Sequence, residues 1–193
     1  MRYDSGSRNA FRTAVLAVGI ATLLAASGCW NPVDPEVGGG GGVQYYDPCD
    51  SAWKVLKNLE YAYQSKDLDH YLGCFMSDFE FHLLEVDWDD YNGDGVIDEY
   101  WGLDLEEEFH DAMFDFVDDI ELTLSGTAEW PWSGDSTGQS WELQRTFDLK
   151  VWYTVPGSPW EGSQASGTAV FICRTDSTTG EWYIWKWFDQ SET

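Results

Sequence analysis

From Ala52 onward, apolar residues return every three or four places along the chain. Ala52, Leu56, Leu59 and Tyr63 fall on one face, with Trp53 and Val55 beside them, and this spacing predicts a helix running to about Ser65. Asp47-Pro48-Cys49-Asp50, just ahead, reads as an N-cap followed by proline at the first helical position. Asp67 predicts the cap of a second, shorter helix through about Met76, and Phe79 to Val86 reads as a strand. Residues 87–103 are acidic and glycine-containing, the composition of a loop. Asp104 with Glu107 then makes a start like a capping box, and Leu105, Phe109, Ala112, Met113 and Phe116 supply the apolar face of a third helix.

After that the period changes to two. Ile120, Leu122 and Leu124 alternate with Glu121, Thr123 and Ser125, and Leu143, Phe147, Leu149, Val151 and Tyr153 alternate with Gln144, Thr146, Asp148 and Lys150. Each stretch predicts a strand with one buried face. Two more follow, Ser163 to Arg174 and Glu181 to Phe188, on either side of the turn-rich Asp176 to Gly180. Helix, helix, strand, helix and four strands imply an α+β domain, an antiparallel meander with helices on one face.

The first 28 residues stand apart from this pattern. Arg2, Arg8 and Arg12 precede an unbroken apolar run from Ala14 to Ala26. That run is short of the roughly 20 apolar residues a membrane span needs, and it has the layout of a secretory signal. The cut region Ala26-Ser27-Gly28-Cys29 resembles the lipobox of bacterial lipoproteins, with Ala26 where leucine is usual. The resemblance implies a signal peptide over 1–28, a lipid on Cys29 and attachment to a membrane. The alternative is a plain secreted protein cut nearby. Trp30 stands where an aspartate would signal inner-membrane retention, so the resemblance implies the outer membrane of the cell envelope. Residues 29–46, with Pro32, Pro35 and Gly38 to Gly42, form a flexible tether, leaving 47–193 as one domain.

Charge and cysteines narrow the partners. Thirty-five acidic against ten basic residues give a net charge of −25, which repels nucleic acid and favours cations. Twelve tryptophans, ten tyrosines and ten phenylalanines supply enough apolar surface for a packed core despite that charge. Beyond Cys29 the odd number Cys49, Cys74 and Cys173 leaves at least one thiol unpaired in a monomer, and spacing does not choose among the three pairings.

The run Lys66 to Phe79, KDLDHYLGCFMSDF, is similar to the helix-turn-helix entry of the nuclear transport factor 2-like superfamily, and Glu181 to Gln190, EWYIWKWFDQ, to its last strand. The resemblance spans residues 47–190 and implies a strongly curved antiparallel sheet wrapped around three helices, a cone-like, cystatin-like α+β fold, often with a pocket at its open end. That superfamily holds steroid isomerases, SnoaL-like cyclases, dehydratases and non-catalytic domains, so it does not fix an activity. Counted from the DLD turn, the isomerase tyrosine falls on Leu59 and the proton-carrying aspartate on Leu83, and neither can move a proton. A homodimer formed through the sheet is a further expectation from the resemblance. Sedimentation showing only monomer at micromolar concentration would remove it.

The sharpest local signal is DYNGDGVIDEYW, Asp90 to Trp101. Asp90, Asn92 and Asp94 occupy the first, third and fifth positions of an EF-hand or dockerin-like calcium loop, Gly95 the turn at the sixth, Val96 the backbone-carbonyl position and Asp98 the ninth. Short acidic side chains two apart in a tight loop converge their oxygens, which suits Ca2+. Trp101 replaces the bidentate glutamate at position twelve, and Glu99 or Asp104 could substitute. The reading is a structural calcium site fastening an insertion over residues 87–103. The alternative is a solvated acidic turn.

Other candidates carry less. His70, His82 and His110 read as surface or half-buried histidines with satisfied partners, His82 facing away from the side that Phe79, Phe81 and Leu83 define. Arg145 and Tyr153 share the apolar face of their strand and are the pocket candidates, Arg145 for an anionic ligand or, more plainly, for a salt bridge. Trp182, Tyr183, Trp185 and Trp187 put aromatics on both faces of one strand, which suits core packing better than sugar stacking. Together these features predict a membrane-anchored extracytoplasmic lipoprotein with a non-catalytic ligand- or protein-binding domain. The alternatives are an assembly role in the cell envelope and, third, a cyclase or dehydratase.

Overall fold

A computed structural model describes residues 44–155 and 161–191. The signal segment, Cys29 and the tether up to residue 43 lie outside them. Helix α1 (Ala52–Ser65) and α2 (Leu68–Leu72) lead into β1 (Phe75–His82); a 3-10 turn (Glu85–Asp87) and the two-residue β2 (Tyr100–Trp101) precede α3 (Leu103–Phe116). Four long strands complete the chain: β3 (Asp119–Pro131), β4 (Ser140–Tyr153), β5 (Glu161–Thr175) and β6 (Trp182–Ser191). They form one six-stranded sheet in the order β2-β1-β6-β5-β4-β3. All pairings are antiparallel except β1 with β6, because the closing strand returns to lie between β1 and β5.

Local chemistry explains most boundaries. Asp67 caps α2, its carboxylate accepting from the His70 N–H at 3.1 Å, and the helix stops at Gly73. The strand expected from Phe79 instead begins at Phe75, where pairing with Ile184 holds the chain extended. The Asp47-Pro48 peptide is cis and precedes α1, whose N-cap is Ser51, so Pro48 does not open the helix. Tyr45 and Tyr46, which the composition assigns to the tether, are packed: Tyr45 stacks on His70 with ring centroids 3.8 Å apart, and the Tyr46 N–H donates to Asn58 at 2.7 Å.

The sheet's inner face and the helices share one core. Leu56, Leu59 and Tyr63 of α1 and Phe114 of α3 meet Phe75, Phe79, Ile120, Leu122, Leu143, Phe171 and Ile184. Burying one such side chain stabilises the fold by roughly 1.5–3 kcal/mol. Trp182 and Trp187 pack against this core, whereas a bulge in β6, with Trp185 the extra residue opposite the Ile172–Cys173 step of β5, leaves Trp185 and Lys186 on the outer face. A second irregularity, in β3 between Ser125 and Ala128, contains Gly126 at φ +96° and shifts the strand by one residue. Ile120, Leu122 and Leu124 face inward before it, and Glu129, opposite buried Leu143, faces inward after it.

Candidate functional site

The interior contains a polar cluster that the helix spacing alone does not reveal. Of the apolar face expected from Leu105, Phe109, Ala112, Met113 and Phe116, Met113 packs against the core, whereas Phe116 is 53% exposed; the residues that α3 turns into the interior are Leu103, Glu106, His110, Met113 and Phe114. Glu106 is 1% exposed and accepts from the Tyr71 hydroxyl on one oxygen and from the Trp101 indole N–H on the other. His110, one turn along, places Nδ1 3.0 Å from the Glu106 carbonyl and 3.3 Å from its carboxylate. Both are acceptors, so Nδ1 carries the proton and Nε2 accepts from the Tyr63 hydroxyl at 2.6 Å. The Tyr71 and His110 rings stack at 4.1 Å, and Tyr63 meets Tyr71 edge-on at 5.2 Å.

Electrostatics hold these partners neutral around the carboxylate. Burial, reinforced by Glu106, pushes the Tyr63 and Tyr71 hydroxyls up. Burial also pulls the His110 imidazolium down, against the attraction of Glu106. Both shifts work against passing a proton from Tyr63 to His110 in this set, since they make the phenol a weaker acid and the imidazole a weaker base. Its members spend their polar atoms on one another and on Trp101. Leu59, where the isomerase comparison expects a tyrosine, is fully buried one turn before Tyr63.

Trp101 links this cluster to the acidic loop. The Asp90 carboxylate accepts from the N–H groups of Asp94 at 2.9 Å and Gly95 at 2.8 Å; Asn92 Oδ1 accepts from Asp94 at 2.9 Å, and Asp94 Oδ1 from Val96 at 2.8 Å. Asp98 accepts from the Tyr91 N–H at 3.0 Å and bridges to Asp89. The Glu99 carbonyl accepts from the Leu83 N–H. The loop therefore winds around its own side-chain oxygens, with Gly93 and Gly95 at positive φ. Among the described residues, no three His, Cys, Asp or Glu side chains are grouped tightly enough to hold a metal ion. The positions that match the calcium-loop pattern carry oxygen donors, Asp90, Asn92, Asp94, Asp98 and the Val96 carbonyl, while the position-twelve side chain, Trp101, points to Glu106. A cavity of about 430 Å³ lies between this loop and the start of α3, walled by Asp98, Trp101 and Leu105.

The remaining candidates lie elsewhere. Arg145, 6% exposed, pairs with Glu129 and donates to the Ala128 carbonyl at 3.2 Å. Tyr153, eight residues along β4, packs its ring against Phe116 at 5.3 Å. His70 hydrogen-bonds Asp67 at 2.8 Å near the surface. His82 lies on the outer face, bonded to Glu80 at 2.8 Å and stacked on Phe188 at 4.3 Å. The thiols of Cys49, Cys74 and Cys173 are free, and burial raises all three.

No protein-family model matches the chain, and no curated protein matches it by sequence. Solved structures do share its fold. A conserved protein from Planctomyces limnophilus aligns at a TM-score of 0.55 with 15% identity, covering 72% of this chain and 92% of its own. A protein of Novosphingobium aromaticivorans named after scytalone dehydratase aligns at 0.54 with 10% identity, covering 73% and 81%. An uncharacterised protein with a cystatin-like fold from Caulobacter vibrioides aligns at 0.50 with 13% identity, covering 77% and 92%. The fold is thus the cystatin-like α+β arrangement to which the nuclear transport factor 2-like resemblance points.

Proposed function

We propose that this chain is a lipid-anchored extracytoplasmic protein whose α+β domain binds a ligand or protein partner without turning it over, and holds calcium in the 90–101 loop. The observation that supports a non-catalytic binding reading is the mutually satisfied interior cluster: Glu106, Tyr71, Tyr63 and His110 spend their polar atoms on one another and on Trp101, leaving none aimed at a substrate. Their service is to support the loop through Trp101.

Calcium would be held by Asp90, Asn92, Asp94 and Asp98 with the Val96 carbonyl, and Glu99 stands by as a further donor. Its chemistry there would be structural, drawing together carboxylates that otherwise repel. Among the described residues no helix is long and apolar enough to cross a membrane. What supports attachment through a lipid on Cys29 is the lipobox-like Ala26-Ser27-Gly28-Cys29 behind an apolar run. Growth with labelled palmitate, followed by fractionation, tests the anchor. Label and protein should co-migrate with outer membranes, and Cys29→Ser should lose both. Unlabelled wild-type protein in the soluble fraction would refute it.

A further inference from the structure

A second cavity, of about 470 Å³, opens on the outer face of the sheet where the β3–β4 and β5–β6 turns meet the start of β1. Its size falls in the range of small-molecule sites. Two indoles form its corner: the Trp132 and Trp185 rings meet at 77° with centroids 5.4 Å apart. Their positions are set by the backbone. Trp185 occupies the bulge of β6, and Trp132 lies so closely across Gly134 that a Cβ there would come within 2.5 Å of its ring. Ser140 forms part of the lining, 1% exposed; its hydroxyl is near enough to influence the Asp135 carboxylate yet completes no hydrogen bond of normal geometry.

The charges around the corner define what could enter. Arg174 lies 4.3 Å from the Trp185 ring centroid and Lys186 Nζ 4.7 Å, so this ring already carries two cations. Arg174 is paired with Asp78 at 3.0 and 3.1 Å, and Lys186 with Glu80, so each cation already has a carboxylate beside it. Asp135, held at about 2 by the Thr137 hydroxyl and N–H, and Asp176, lowered by the N–H groups of Thr179 and Thr178, keep the rim negative. A chain of net charge −25 adds to the exclusion of anions. What fits is a neutral ligand with an apolar face for the indoles and hydroxyls for the Gln139 side-chain amide, the unpartnered Ser140 hydroxyl and the lone pairs that Thr137 and Gln139 leave on Asp135.

We propose that the Trp132–Trp185 corner binds a neutral saccharide. A sugar ring presents an apolar C–H face bordered by hydroxyls, matching an aromatic wall bordered by carboxylates, an amide and hydroxyls. The inference rests on reading the domain as a binding module, but its site is separate from the calcium loop.

Saturation-transfer NMR on the purified full chain tests it, with cellobiose, maltose and N,N′-diacetylchitobiose as probes and choline and glucuronate as charged controls. Saturable transfer to at least one disaccharide is expected, weakened several-fold to about tenfold in Trp132→Ala, as loss of one aromatic contact implies. Gly134→Ala, whose Cβ would displace the Trp132 ring without removing a polar side chain, should weaken it similarly. Trp53→Ala, at an exposed site on α1, should not. Absence of transfer to all three disaccharides, transfer that survives both cleft variants, or binding of choline or glucuronate alone would overturn the proposal. If no saccharide binds while the anchor on Cys29 holds, the ligand class fails and the lipoprotein reading stands.

Discussion

Replacing Glu106 by alanine leaves the buried Tyr71 hydroxyl and the half-buried Trp101 indole N–H without their acceptor. Each such group costs roughly 1–3 kcal/mol, so urea denaturation should show a loss of that order for each, and a smaller one for Glu106→Gln, which keeps an acceptor. Unchanged stability in Glu106→Ala would show that the cluster contributes nothing. His110 gives the cluster a pH signature. Burial holds its folded pKa below the usual value of about 6.5, so as pH falls the unfolded chain takes up a proton first. Stability contributed by the neutral ring is therefore full above about 6.5 and declines below it, by at most roughly 1.4 kcal/mol per pH unit. His82 is lowered by its own burial and acts in the same direction on the outer face, where Glu80, Lys186, Tyr100 and Phe188 surround it. His110→Gln should make the dependence shallower between about pH 7.5 and 5.5 without abolishing it. An unaltered slope would place the titration elsewhere.

At the scale of elements, the bulge in β3 decides which residues meet. Without the extra residue at Gly126, Glu129 would face outward and Arg145 would be buried without its carboxylate. Gly126→Ala, at φ +96°, should cost about 1 kcal/mol or more in chemical denaturation, and a neutral effect would contradict this role. The strands were legible because a one-sided sheet must alternate: Ile120, Leu122 and Leu124 face inward as their spacing predicts. The phase of α3 was not, because its core face is centred on Glu106 and His110, which an apolar count discards. The usable signal was their spacing of four beside Leu103 and Phe114, together with two tyrosines, Tyr63 and Tyr71, on the preceding helices. The early start of β1 was hidden for a different reason. Only its partner Ile184, more than one hundred residues away, makes Phe75 extended.

For the whole molecule the governing facts are a net charge of −25 and a domain that follows the sequence expected to carry its anchor. Carboxylates crowd the 87–103 loop, whose last residue pair leads directly into α3, so an ion drawn to Asp90, Asp94 and Asp98 would stabilise the fold as a whole. General screening of so acidic a surface would do the same without a site, and a variant must separate the two effects. The decisive measurement is the thermal midpoint of the full chain in millimolar calcium, in the same concentration of magnesium, and in chelator, for wild type and for Asp90→Asn with Asp94→Asn. Calcium at about ten times its dissociation constant should raise the wild-type midpoint by roughly 2–5 °C over chelator, magnesium by less, and the double variant should show no calcium-specific rise. A wild-type midpoint that is the same in calcium and in chelator would contradict the calcium-held domain.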